Sequence, residues 1–96
     1  MNKCYLQRWE ESERGWGVRP DGCSIHLDEF QHDLYVQNVY KKRPDEVPDE
    51  YDRVCGRVIE AFVSDEIFEK VQERKNIRIF ESQLNNMVKT EDIILK

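Results

Sequence analysis

The segment from Arg14 to Leu27 combines an aromatic ring with guanidinium groups. Its sequence is Arg-Gly-Trp-Gly-Val-Arg-Pro-Asp-Gly-Cys-Ser-Ile-His-Leu, with Trp16 between two glycines and Arg19 close by. An aromatic face can stack on a base while a guanidinium group binds a phosphate. Together with Arg57, Trp16 and Arg19 are therefore the predicted ligand-binding residues, for a nucleotide-like anion. The interpretation favoured over this site is that Trp16 packs in the core of a small sheet, which needs its tryptophan, and that its glycines relieve crowding or form a bulge.

Cysteine and histidine occur together once, as the Cys23-x-x-His26 pair. Zinc ligands normally come as close pairs that converge on one ion. A spacing of three within a predicted strand directs the two side chains to opposite faces. We therefore predict a packed cysteine, a hydrogen-bonded histidine and no metal. The odd number of cysteines, Cys4, Cys23 and Cys55, indicates no disulfide framework, and in a reducing cytoplasm they are interpreted as small buried hydrophobes.

Signatures of catalysis are missing from the sequence. There is no Gly-x-Ser-x-Gly elbow and no phosphate-binding Gly-x-x-x-x-Gly-Lys loop, and Gly15-Trp16-Gly17 lacks the third glycine of a dinucleotide fingerprint. Most carboxylates fall in predicted first turns of helices or in an acidic linker, where solvation and the helix dipole account for them. The expectation is a protein without enzymatic activity or cofactor, with a cysteine- or histidine-dependent enzyme as an alternative.

Charge and hydropathy limit the partners and the location. The net charge of −5 argues against general binding of nucleic acids, whose phosphates attract Lys and Arg. No apolar run approaches the roughly 18 residues that span a membrane, and the N-terminus is not a secretory signal. The expected location is the cytoplasm. With 39% hydrophobic and 36% charged residues, the core must be small, which favours an oligomer or a protein partner.

The strand signals predict a small, mainly antiparallel sheet. Residues 3–9 indicate a first strand, and Glu10–Arg14 a loop. Residues 15–18 and 23–27 flank Arg19-Pro20-Asp21-Gly22, which predicts a hairpin turn with Gly22 at positive φ. Further strands are expected at 57–63 and 77–80. The fold class is α+β: a sheet of four or five strands with two helices packed on one face.

Two capped helices follow from the sequence. Asp28 is a good N-cap for a helix that runs to about Lys42, and Ser64 caps a second helix that runs to about Lys75. In the second helix the apolar residues form one stripe. In the first helix Phe30 and Leu34 share one side, whereas the other half carries the residues predicted to form a subunit or target interface: Tyr35, Val36, Val39 and Tyr40.

The whole chain, residues 1–96, is predicted to be one domain with an acidic linker at about 44–53 and an uncertain tail at 82–96. In the tail, Leu84, Met87 and Val88 have helical spacing, whereas residues 93–95 could pair as a strand. The linker would either be a solvated connection or dock on a basic partner. Its predicted interface residues are Asp45, Glu46, Asp49 and Glu50.

The Gly15–Leu27 motif and the Pro-Asp-Glu-Val-Pro-Asp-Glu-Tyr linker resemble short bacteriophage and prophage proteins over about residues 5–70. The resemblance carries no catalytic residues. It implies an inhibitor of host machinery, acting in the host cytoplasm. The expected function is therefore non-catalytic binding, by inhibition of a host defence protein. The alternative is an oligomeric binder that sequesters a nucleotide-like anion.

Overall fold

A computed structural model describes residues 2–13, 17–42, 50–81 and 93–95. Its elements follow the order β-β-α-β-α-β-β. They are β1 (Asn2–Glu13), β2 (Gly17–His26), α1 (Glu29–Lys41), β3 (Glu50–Val63), α2 (Asp65–Arg74), β4 (Asn76–Ile79) and β5 (Ile93–Leu95).

The strands form one sheet in the order β4-β2-β1-β3-β5, and every neighbouring pair is antiparallel. The predicted α+β class with a small antiparallel sheet and two helices is thereby confirmed. Strand β5 pairs with the end of β3, as the strand interpretation of the tail predicted. None of the described helices is long and apolar enough to cross a membrane.

Both helices begin where their caps predict. The carboxylate of Asp28 accepts a hydrogen bond from Gln31 N over 2.8 Å, and the hydroxyl oxygen of Ser64 accepts one from Ile67 N over 3.4 Å. Each cap satisfies a backbone N–H group that has no partner within its helix.

One face of the sheet, here called the apolar face, packs against α2. The helix contributes Ile67 and Val71 to this cluster, at the spacing of one helical turn. The strands contribute Cys4, Leu6, Cys23, Ile25, Ala61, Val63 and Ile79.

The opposite face, here called the polar face, carries buried Gln7, Trp9, Ser24 and His26 and packs against α1. In β2, Ser24 and His26 alternate with Cys23 and Ile25, so the two sets point to opposite sides. The two helices therefore lie on opposite faces of the sheet. The sequence analysis placed both helices on one face. In the structure α1 lies on the other face, because the polar side chains of β1 and β2 are also buried there, against α1.

The strands extend further than their β-forming residues predict. β1 continues through Glu10–Glu13, which was predicted as a loop, and β3 begins at Glu50, within the predicted linker. β1 pairs on both sides along this stretch, and Arg19 forms an ion pair with Glu11 there. Cross-strand pairing thus overrides the low strand propensity of the acidic residues.

The predicted turn at Arg19–Gly22 is wrong. These residues belong to β2 (Gly17–His26), which pairs with β1 on both sides of a register shift at Asp21 and Gly22. Gly22 does have a positive φ, of 81°, as predicted. Gly22 lies at the register shift of β2 and not in a chain reversal. A side chain is also excluded there, because a Cβ on Gly22 would lie 1.9 Å from the carbonyl oxygen of Ile79.

Candidate functional site

Four neighbouring strands each direct one charged side chain to a common point on the sheet. Glu11 comes from β1, Asp21 from β2, Asp52 from β3 and Arg78 from β4. The carboxylate oxygens of the three acidic residues lie within 4.8 Å of one another. We call these four residues the charged cluster.

Arg78 links the members of this cluster. Its Nη2 donates to the backbone oxygen of Asp21 over 2.9 Å, and it lies 3.3 Å from Asp21 Oδ2 and 3.2 Å from Asp52 Oδ2. The guanidinium lies 4.8 Å from the ring of Trp9 and 4.6 Å from the ring of Phe80. A planar, delocalised guanidinium can stack on the two rings while its N–H groups contact both carboxylates, which the compact ammonium group of lysine cannot do at once.

Asp21 titrates near neutral pH. Burial, the hydrogen bond with Asp52 and the charge of Asp52 raise the pKa of Asp21 to about 7, against the opposing effect of Arg78. Two carboxylates this close cannot both ionise without repulsion, so the pair holds a proton at a pH where isolated carboxylates hold none. That proton and the charge of Arg78 together balance the negative charge of Asp21 and Asp52.

Three converging carboxylates are also a ligand set for a hard cation such as Ca²⁺ or Mg²⁺. In this chain Arg78 already contacts two of the three. The geometry alone therefore assigns no ion to the charged cluster. It does provide an ion network that ties four strands together.

An Asp21→Asn substitution is expected to make the protein more stable than wild type at pH 8 by about 1–2 kcal/mol. The folded-state pKa of Asp21 lies above the unfolded value of 3.8. The stability that its proton contributes is therefore full below pH 3.8 and is lost as the pH rises towards 7. A rise of the pKa from 3.8 to about 7 corresponds to about 4 kcal/mol in the free energy of unfolding. The expected effect is smaller because the proton can move to Asp52.

Urea denaturation at pH 4 and pH 8 tests this prediction. Exposed Glu69 on α2 provides the control, because Glu69→Gln removes the same charge and should change stability by less than about 0.5 kcal/mol at either pH. Equal stability of wild type and the Asp21 variant at pH 8 would contradict the shared proton.

Beneath α1, the polar face contains a chain of hydrogen bonds. The indole Nε1 of Trp9 donates to Ser24 Oγ over 2.7 Å, and Ser24 Oγ lies 2.7 Å from His26 Nε2. The side-chain amide of Asn76 reaches His26 Nδ1 over 2.6 Å. Ser, His and Asn in this order occur in acyl-transfer sites. Here Ser24 and His26 are fully buried, so the hydroxyl faces protein groups and the trio serves the packing of α1.

Of the predicted ligand-binding residues, the structure describes Arg19 and Arg57. Trp16 lies outside the described residues. Arg19 is ion-paired with Glu11 over 2.6 Å. Arg57 is exposed on a bulge of β3 opposite Gln7. Strand geometry separates the backbones of the two arginines by roughly 13 Å along the strands and 10 Å across them.

Of the interface residues predicted on α1, Tyr35, Val36 and Val39 are half-buried, whereas Tyr40 is exposed (37%). Tyr35 lies 6.0 Å from the ring of Trp9, and half-buried Val36 and Val39 share its side of the helix. The ring of Tyr40 lies 6.5 Å from that of Trp9, and its hydroxyl accepts a hydrogen bond from Val54 N. The residues predicted in the linker, Asp45, Glu46 and Asp49, lie outside the described residues, and the backbone of Glu50 begins β3.

Cys23 and His26 point to opposite faces of the sheet, as their spacing predicted, whereas Cys55 is exposed on β3 and is not the buried hydrophobe that the sequence indicated. Cys23 lies in the apolar cluster, whereas His26 lies on the polar face. Burial raises the pKa of Cys4, and burial is also the main cause that raises the pKa of Cys23 to about 11. Both are therefore thiols at neutral pH rather than the thiolates that act as nucleophiles.

Sequence reasoning missed the charged cluster. Its members come from four strands and share no local motif. Asp21 was interpreted as a turn residue, and Asp52 as part of the linker. Only the register of the sheet brings them together. Neither a family model, nor a curated protein, nor a solved structure matches this chain.

Proposed function

We propose that the chain is a non-catalytic binding protein that docks on a protein partner through the outward side of α1. The observation that carries this proposal is the exposure of Phe30 (66%) and Leu34 (39%). The two residues are one helical turn apart and therefore adjacent on the helix surface. Together they form the docking pair of this proposal.

The position of the docking pair differs from that of the interface predicted from sequence. The side of α1 that carries Tyr35 packs on the sheet, which leaves the docking pair on the side that faces away from it. Large exposed apolar side chains on one helix side are typical of surfaces that bind another protein.

Charge defines the chemistry of the partner. Exposed Glu29 and Asp33 flank the docking pair on α1, and the chain as a whole carries a charge of −5. The complementary partner is a protein surface with an apolar groove bordered by Lys and Arg. A docking role for Asp45, Glu46 and Asp49 remains part of the proposal, as does the inhibition of a host protein implied by the resemblance to phage proteins.

Two observations favour binding over the alternative functions. The buried cysteines are held as thiols, which disfavours a cysteine nucleophile. Arg19 is occupied by Glu11, and strand geometry separates it from Arg57, which disfavours one anion pocket made from both. The docking pair needs no rearrangement of the fold to meet a partner.

Cross-linking from position 30 tests the proposal. A photoreactive amino acid at position 30 should give a cross-link to one protein that the same group at position 18 does not give. Val18 is the matched control because it is also an exposed apolar residue (47%) but lies on β2. A product consisting of two copies of this chain, or equal products from both positions, would overturn the proposal.

The cross-linked protein is then purified and titrated with variants. A Phe30→Gln, Leu34→Gln double variant should bind at least about tenfold more weakly, because the burial of each apolar side chain is lost without a change of charge. Val18→Gln should bind like wild type. Unchanged affinity of the double variant would contradict docking through α1.

A further inference from the structure

The two helices are attached to the sheet by different chemistry. The buried residues of α2 are Ile67 and Val71, which pack on the apolar face. The fully packed residue of α1 is His32, which meets the polar face. The stability of apolar packing does not change with pH, whereas the stability of an interface that contains imidazole rings depends on whether the rings are charged.

His26 is the imidazole of the sheet beneath α1. Its ring centroid lies 5.0 Å from that of His32 and 5.2 Å from that of Tyr35, both on α1. The terminal amide atom of Asn76 that lies 2.6 Å from His26 Nδ1 also lies 3.2 Å from the carbonyl oxygens of Gln31 and Lys75. Because both carbonyl oxygens are acceptors, we assign this atom as the amide nitrogen, which then donates to His26 Nδ1.

The contacts of His26 suit only the neutral ring. Because Nδ1 accepts from the amide of Asn76, the ring proton lies on Nε2 and is donated to Ser24 Oγ. A second proton on Nδ1 would face an N–H donor instead of an acceptor. Burial is the largest cause that lowers the pKa of His26 to about 4, and nearby His32 adds to the lowering; an Asn76 amide that presented its oxygen to the ring would oppose both.

Both ring nitrogens of His32 lie near acceptor oxygens. Gln7 donates its side-chain N–H groups to the backbone oxygens of Arg8 and Gly56, so its Oε1 is the acceptor for His32 Nε2 over 2.9 Å. Nδ1 of His32 lies 3.0 Å from the carboxylate of Asp33, which is also an acceptor.

The surroundings of His26 contain no compensating negative charge among the described contacts. Ser24 comes from β2 and Asn76 from β4, and Tyr5 is its neighbour on β1 in the ladder. From α1 come His32 and Tyr35. The carboxylate of Asp33 contacts His32 instead.

We propose that the His26–His32 pair is an acid-sensitive latch that releases α1 from the sheet while α2 stays packed. Protonation of His26 breaks its hydrogen bond with Asn76 and places a positive charge beside His32. Release of the helix lets water solvate both rings. The latch goes beyond docking of a partner and does not depend on it.

The sign of the pH dependence follows from the two states of His26. In the released state its pKa returns towards 6.5, whereas in the packed state it is about 4. The stability that neutral His26 gives to packed α1 is full above pH 6.5 and is lost as the pH falls to about 4. Asp21 has the opposite dependence, so global stability masks the effect and a local measurement is needed.

Amide hydrogen exchange of the full chain from pH 7.5 to 4.5 tests the latch, with α2 as the internal reference. After correction for intrinsic exchange rates, the opening of α1 should increase about tenfold per pH unit below pH 6.5, which corresponds to one proton. The amides of α2 should show no such slope. A His26→Gln variant should lose the slope of α1.

Three results would overturn the latch. The first is loss of protection in α1 and α2 at the same pH with the same slope, which indicates global unfolding. The second is an unchanged slope in His26→Gln. The third is titration of His26 near pH 6.5 while the amides of α1 are still protected. ¹⁵N NMR of the wild-type imidazoles measures this, so the latch can be tested even if His26→Gln does not fold.

Discussion

Replacing Gly22 with alanine is expected to lower the free energy of unfolding by about 3–5 kcal/mol. A Cβ at this position would lie 1.9 Å from the carbonyl oxygen of Ile79 and 2.8 Å from the carbonyl carbon of Phe80. Both are backbone atoms, so they cannot rotate away as the end of a side chain can. The positive φ of 81° adds the ordinary cost of a left-handed conformation for a residue with a Cβ.

The collision at Gly22 is difficult to relieve because the surrounding backbone is fixed on both sides. Cys23 pairs with Ile79 in the sheet, and Gly22 N donates to the carboxylate of Glu81 over 3.1 Å. Moving β4 away would therefore break its pairing with β2. Loss of β4 would also displace Arg78 and open the charged cluster.

Gly56 provides the matched control for this prediction. It too has a positive φ, of 77°, but a Cβ there would meet no atom within 4 Å. Gly56→Ala should therefore cost only about 1–2 kcal/mol, the strain of the backbone alone. Urea denaturation followed by far-UV circular dichroism measures both variants, and equal losses would show that the close approach at Gly22 has no energetic consequence.

The helices could be predicted from sequence because their signals are local. Asp28 and Ser64 cap helices that begin at the next residue, and the apolar stripe of α2 became its buried side. The capping bonds span only three residues, so they depend little on the rest of the chain. For α1, the pattern indicated two apolar sides, and the side that the sequence analysis assigned to an interface, with Tyr35, is the one that packs on the sheet.

The side of α1 that packs is decided by its partner surface. The sheet presents the rings of Trp9 and His26, and these match the rings of Tyr35 and His32. Phe30 is apolar but lies on the other side of the same helix. The periodicity of a sequence shows which side of a helix is apolar. It does not show which side chains fit the polar face, where the contacts are between rings and through hydrogen bonds.

The charged cluster could not be predicted for a different reason. Its position depends on the register of four strands, and all three of its acidic residues lie in segments that the sequence predicts as loop, turn or linker. Ion pairing across the sheet is itself part of what places those segments in strands. Local strand propensity therefore does not predict the strands at the charged cluster, because these strands and the cluster stabilise each other.

Trp9→Ala is the second substitution with a large expected effect, a loss of about 3–5 kcal/mol in the free energy of unfolding. Trp9 is almost fully buried and touches three parts of the molecule. Its ring contacts Tyr35 of α1 and Arg78 of the charged cluster, and its indole N–H donates to Ser24. A domain of this size has a total stability of only about 5–15 kcal/mol, so the variant should be marginally folded.

Trp9→Phe separates the contribution of the ring from that of the N–H group. Phenylalanine keeps an aromatic surface for Tyr35 and Arg78 but cannot donate to Ser24 Oγ, so the expected loss is only about 1–2 kcal/mol. Urea denaturation followed by circular dichroism gives both losses, and hydrogen exchange shows where they act. Because α1 rests on Trp9 and α2 does not, Trp9→Ala should expose α1 amides first. Equal losses for the two variants, or equal exposure of both helices, would mean that Trp9 supports the sheet alone and that α1 is held by other contacts.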